Sequence, residues 1–382
     1  MIGRALVASA LALQLVAAPA MAADEDCNPK KGLLKLPASE PWAQKRLDIK
    51  NAWRLTQGAG VTVAIVDSGV DYHPQMQISK IIDETHTNYR DCVGHGTAVA
   101  GIVSARYYAG VPFHGVAPQA EIVVIKQSNK TEGDVAKLVN GIDDAVAAGA
   151  EVINISVRAS DQPALRAAVQ RALDRDVVVV AAAGNVTGPD DEDVPAYPAA
   201  YEGVLAVGAA GPDGRRADSS NAATPVGVLG PGVDITAPWP GRGYMRGLEG
   251  TSFATPYVAG TAALVRARFP KLTQDQVRRR IIATADGGTG AGAGAGMVNP
   301  LLALTAVLPY EEASAPVVAE PPQPALPPGA IAKAPPRDQR AVDVSMAVGV
   351  GVLITVMVVG ALALLVPLGR RRGWRAGRVS GT

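Results

Sequence analysis

Three short motifs hold residue types that can act together. Asp67 sits in Val66-Asp67-Ser68-Gly69, His95 in Gly94-His95-Gly96-Thr97, and Ser252 in Gly250-Thr251-Ser252-Phe253-Ala254-Thr255-Pro256. Each has an ordinary explanation alone. An Asp after a strand turns or caps the chain, a His at a helix start bonds locally, and a Ser before a helix is an N-cap. In the order Asp, His, Ser they match one chain order of the triad of carboxylate, base and nucleophile. A serine hydroxyl is a weak nucleophile and needs a base of near-neutral pKa within hydrogen-bond reach. His95 would be that base, and a buried Asp67 would fix its tautomer and stabilise the imidazolium. A helix opening at Ser252 offers N–H groups and a positive dipole end to an oxyanion. Asn185, in Ala183-Gly184-Asn185, is either a second oxyanion donor or a plain turn residue.

Such residues have to be carried by a rigid frame. Short β-branched runs at 61–66, 121–126, 151–157, 177–183 and 203–207 read as strands. Ala-rich amphipathic stretches at 97–105, 135–148, 163–173, 252–268 and 273–284 read as helices. Strands alternating with helices predict an α/β fold with a mainly parallel sheet between helical layers. Ligands in such folds sit beyond the carboxyl ends of the strands, where Asp67 and Asn185 fall. The packed domain is expected over residues 47–307.

The ends read differently. Arg4, an apolar run at 5–18 and Ala20-Met21-Ala22 form a secretory signal over residues 1–22. Residues 344–368 carry no charge and are long enough to cross a bilayer. Arg370, Arg371, Arg372, Arg375 and Arg378 in the 369–382 tail put that side in the cytoplasm, so the domain faces out. The 308–343 segment is a Pro-rich linker, with eight prolines between 311 and 340. The expected localisation is a single-pass membrane protein with an extracytoplasmic domain. With 36 Lys and Arg against 35 Asp and Glu, the net charge of +1 offers no field for nucleic acid. The two cysteines form no zinc spacing. An esterase of the α/β-hydrolase type is a poor fit, because Ser252 lacks the closing Gly of a nucleophile elbow and the triad order differs.

Asp-Ser-Gly, His-Gly-Thr and Gly-Thr-Ser-x-Ala-x-Pro in this order, with Gly-Asn between the last two, resemble the subtilisin-like serine proteases. A closer likeness is to the mycosins, membrane-anchored subtilases of type VII secretion. It is carried by Pro41-Trp42-Ala43-Gln44, Arg46-Leu47, Gly60-Val61-Thr62-Val63-Ala64, Gly69-Val70-Asp71, His73-Pro74 and the Ser252 motif through Tyr257. The resemblance implies a subtilisin-like three-layer fold and peptide-bond cleavage through an acyl-enzyme. It also implies secreted protein or peptide substrates and association with a type VII secretion membrane complex. The alternative is a mainly structural component of that complex with secondary catalysis. No cofactor or metal is implied. The substrate pocket falls on Ser156, Val157 and Arg158 and on Ala182, Ala183 and Gly184.

This sequence departs from the subtilase pattern in two places. Arg158 stands where subtilases commonly have Gly, and would narrow the cleft or meet an acidic substrate residue. The loop from Arg106 lacks the oxygen ligands of the tight calcium site of secreted subtilisins. Asp190, Asp191, Glu192 and Asp193 form a solvated loop or hold a cation. His73, His86 and His114 read as structural. Cys27 and Cys92, the only cysteines of an exported chain, are expected to pair. The extension 23–46 is too short for a folded prodomain and is expected to wrap the domain.

Overall fold

The computed structural model describes residues 27, 29, 32–33, 37–130, 133–186, 194–288, 290–312 and 339–373. The signal segment 1–22, loop residues 190–193, linker residues 313–338 and tail residues 374–382 lie outside the described residues. The chain divides into two units, Met1–Pro316 and Val317–Thr382, taken separately below.

In the first unit, helices α1 (Trp42–Arg46) and α2 (Ile49–Ala52) lead into β1 (Thr62–Asp67) and β2 (Lys80–Asp83). Then come α3 (His95–Ser104), β3 (Glu121–Lys126), α4 (Val135–Ala147), β4 (Val152–Ile155), α5 (Pro163–Asp174) and β5 (Val178–Ala182). Strands β6 (Leu205–Ala210) and β7 (Val228–Pro231) follow, then the hairpin β8 (Ile235–Trp239) and β9 (Gly243–Leu248). Helices α6 (Thr251–Arg268), α7 (Gln274–Ala283), α8 (Pro300–Thr305) and α9 (Pro309–Glu312) end the unit.

Seven strands form one sheet in the order β2-β3-β1-β4-β5-β6-β7, and every pairing in it is parallel. A parallel sheet is covered on both faces, so its strands are apolar on both. Val63 and Ile65 of β1 join the core with α3 and α6, whereas Ala64 and Val66 join the core with α4 and α5. This alternation produces the three layers. The strand order reverses around β1, because the chain leaves β3 on one side of β1 and re-enters at β4 on the other. Such a reversal opens a crevice at the carboxyl ends of the strands. Asp67 ends β1, Ser156 follows β4 and Asn185 follows β5, so all three stand at this edge.

Several described residues before α1 are tied to later parts of the unit. Leu33 pairs with Tyr244 of β9 through two backbone hydrogen bonds of 2.9 Å. Trp42 Nε1 donates to the Val233 carbonyl, and buried His114 bridges its own loop to Glu40 through Nε2 at 2.9 Å. Cys27 is disulfide-bonded to Cys92, three residues before His95. The bridge spans 65 residues of sequence, a loop whose closure contributes about 4 kcal/mol in the chain-entropy picture. Cys27→Ser is therefore expected to lower the thermal midpoint measured without reductant. An unchanged midpoint would mean that the non-covalent contacts of the extension hold it alone.

In the second unit, α10 (Gln339–Arg371) contains a candidate span, Met346–Arg371, within which an 18-residue window reaches a mean hydropathy of 2.7. Its described side chains are exposed almost throughout, and its length and composition suffice to cross a membrane.

Candidate active site

Asp67 is buried at the end of β1, and its Oδ1 accepts from the Ser68 N–H at 2.8 Å and from His95 Nδ1 at 2.7 Å. His95 is the first residue of α3, and the loop before it is held by buried polar groups. Asp91 is fully buried and caps the helix without being its neighbour. Its Oδ1 accepts from the Val93 and Gly94 N–H groups, and its Oδ2 from the Thr97 N–H and hydroxyl. The Ser68 hydroxyl donates to Asp91 at 2.9 Å and accepts from the Gly96 N–H at 3.0 Å. The N–H groups of Gly94, Gly96 and Thr97 at this helix start are thereby satisfied although its capping residue, Gly94, has no side chain. A Cβ on Gly96 would run into the Gly69 carbonyl oxygen, which is why this position between His95 and Thr97 is glycine. Lys126 lies beside Asp67 in the β1–β3 register, and its buried ammonium donates to the Asn88 and Arg90 carbonyls at 2.8 and 2.7 Å.

Ser252 is the second residue of α6, among the first four N–H groups that a helix leaves without internal acceptors. Pro256, four residues on, has no N–H to give the Ser252 carbonyl. The Ser156 hydroxyl donates to that carbonyl at 2.9 Å instead, and itself accepts from Asn154 Nδ2 at 3.0 Å. Ser156, one of the expected pocket residues, thus fastens the turn that carries Ser252. Asn185 Oδ1 accepts from the Thr251 N–H at 2.9 Å and hydroxyl at 3.0 Å. With its oxygen anchored, the amide NH₂ is the end left to face the cavity. That cavity, of about 310 Å³, is lined by His95, Ser252, Asn185, Thr251, Phe253 and Glu249 and by Ser156, Val157, Arg158, Ala182 and Gly184. The His95 and Phe253 rings pack with centroids 5.1 Å apart.

Burial acts to lower the His95 pKa, but the Asp67 charge and hydrogen bond, with a further contribution from Asp91, raise it above the ordinary 6.5. Burial pushes Asp91 above the usual carboxylate range against the hydrogen bonds it accepts. His73 is pushed down to about 4 by burial, with its Nδ1 accepting from the Gln75 N–H. It is a neutral structural group, as is buried His114.

The structure brings Asp67, His95, Ser252 and Asn185 to one edge, along with five of the six expected pocket residues. Ala183 is the exception. It is fully buried, its N–H donates to Val207 and its carbonyl accepts from Thr224. Ala182, the last residue of β5, and Gly184, where the chain turns with a φ of 93°, line the cavity, whereas Ala183 between them does not. Ser68, Asp91, Lys126, Thr251 and Glu249 were not anticipated. Only Asp91 had a local signal, an acid just ahead of a helix.

A family model described as the subtilase family matches residues 58–299. The chain is 33% identical over 340 residues to mycosin-1 of Mycolicibacterium smegmatis, covering 73% of this chain and 76% of that protein. It is 36% identical over 250 residues to a thermostable alkaline protease of Halalkalibacterium halodurans, covering 64% and 68% respectively. Its structure resembles the crystal structure of MycP1 from the ESX-1 type VII secretion system, with a TM-score of 0.67 and 30% identity, over 74% of this chain and 91% of that one.

Proposed function

Because the chain belongs to the subtilase family, we propose that it is a membrane-anchored, extracytoplasmic serine endopeptidase with Asp67, His95 and Ser252 as its triad. The observation that carries this reading is the 2.7 Å contact of His95 Nδ1 with buried Asp67, in the cavity that Ser252 also lines. With Nδ1–H given to Asp67, Nε2 is the basic nitrogen and takes the Ser252 proton as Oγ attacks the peptide carbonyl. The carbonyl oxygen gains negative charge, met by the Asn185 NH₂ and the N–H groups opening α6. The imidazolium returns its proton to the leaving amine, and the acyl-enzyme is hydrolysed by water activated at the same nitrogen.

The remaining assignments rest on the sequence pattern. Residues 1–22 are the export signal, 23–46 the wrapping extension, 47–307 the peptidase domain, 308–343 a tether, 344–368 the span and 369–382 a cytoplasmic tail. The likeness to mycosin-1 and to MycP1 supports association with a type VII secretion complex and processing of its substrates.

The test uses the full chain in detergent, treated with a fluorophosphonate probe and mapped by peptide mass. Covalent modification confined to Ser252 is the expected result. A folded protein that takes no label would overturn the assignment of an assembled triad.

A further inference from the structure

Besides His95, the catalytic cavity has two charged side chains in its lining, and they are of opposite sign. Arg158 lies two residues past Ser156 at the end of β4, and Glu249 lies three residues before Ser252. They come from different elements of the fold. Both are exposed, and neither forms an ion pair with the other or with any described residue. Glu249 also lines a second, larger cavity of about 750 Å³, which Arg158 does not reach. Glu249 therefore borders both cavities, whereas Arg158 borders only the one that holds Ser252. In the second cavity Arg215 pairs with Asp213 at 2.9 Å, while Arg216 donates to the Ala217 and Ser220 carbonyls and keeps its charge. With Asp213, Asp218 and Glu249 against Arg215 and Arg216, that lining is acidic by one charge.

Resting on the protease reading above, we propose that the cleft selects peptides of mixed charge, with an acidic side chain seated against Arg158 and a basic one, at a different position, against Glu249. The physical reason is asymmetry of cost. An unpaired guanidinium gains a bidentate carboxylate partner from an acidic residue. A Lys or Arg substrate residue at the same place meets a like charge and is disfavoured. The reverse holds at Glu249. Because both groups are exposed, the gain is screened and modest, roughly two- to fivefold per position at low salt. This sets a preference and register along the peptide, leaving the chemistry at Ser252 unaltered.

The experiment measures kcat/KM of the full chain in detergent on quenched fluorescent peptides. Each position near the scissile bond is varied among acidic, basic and neutral residues. The expected profile favours acid at one position and base at another, and both preferences shrink as salt is raised. Arg158→Glu is expected to invert the first preference alone, and Glu249→Lys the second alone. Arg158→Gln and Glu249→Gln should flatten the same positions, which keeps the test decisive if a charge reversal disturbs folding. A parent profile indifferent to charge, or variants that keep the parent profile, would overturn charge selection. Fluorophosphonate labelling of the same samples separates the two readings: label without charge preference sinks this proposal only, whereas an unlabelled, inactive folded parent sinks the protease reading beneath it.

Discussion

Ser252→Ala is expected to remove nearly all peptidase activity and all fluorophosphonate labelling. The loss in turnover should be on the order of 10⁶, the size known for the equivalent serine of a subtilisin and carried over here. The magnitude follows from how the parts depend on one another. Without Oγ there is no acyl-enzyme, and His95, oriented at 2.7 Å by Asp67, has no hydroxyl proton to remove. The residual rate should reflect binding and the oxyanion donors alone. The fold should tolerate the change. The contact that fastens this turn is made by the Ser252 carbonyl to Ser156, and alanine keeps that carbonyl. Peptide turnover, probe labelling and the thermal midpoint, measured together, check the prediction. Retained turnover would remove Ser252 from its role.

The same variant separates an enzyme from a scaffold. A secretion complex that assembles and exports normally with Ser252→Ala, while its substrates stay unprocessed, assigns the chain a processing role. Full processing and export in its presence would leave the domain a structural part. The Leu33–Tyr244 pairing, the disulfide to Cys92 and the apolar helix α10 serve either role equally, whereas the His95–Asp67 contact serves only the enzyme.

The long strands were legible because a parallel sheet is buried on both faces and needs unbroken β-branched runs, as in β1, β3 and β5. The strands that were not legible break this rule for physical reasons. β2 is a four-residue edge strand with a charge at each end, Lys80 and Asp83. β7 ends the other edge with Gly230 and Pro231, tolerable where no further strand needs the N–H. The β8–β9 hairpin contains Pro238 and Gly247 and is completed by Leu33 from far away in sequence. Within the site, residues tied to strand ends and helix starts were readable from short motifs. Asp91, Lys126 and Ser68 were not, because their roles exist only once the histidine loop folds against β1 and β3. Ala183 lies outside the cavity because a motif names neighbours in sequence, and the burial of this one, with its carbonyl bonded to Thr224, exists only in the fold.

Asp67→Asn should cost about 10⁴ in turnover, as replacing this carboxylate does in other serine proteases. An asparagine amide can present N–H to Nδ1 and so stabilise the wrong tautomer, leaving Nε2 protonated and unable to act as base. It also removes the charge that holds the His95 pKa above 6.5. The sign for catalysis is set by the neutral imidazole being the active form. In the parent, kcat/KM falls as pH drops through a midpoint above 6.5; in Asp67→Asn that midpoint moves down. The sign for stability is opposite. A folded pKa raised above the unfolded value contributes stability fully present below pH 6.5 and lost as pH rises through the folded pKa. Asp67→Asn should therefore lose its extra stability on the acid side, beyond whatever it loses at neutral pH. Imidazole titration by NMR in the Ser252→Ala background, where no autolysis interferes, reads the shift directly. A His95 midpoint that stays put when Asp67 loses its charge would mean that the raised basicity comes from elsewhere, with buried Asp91 the nearest remaining carboxylate in that loop.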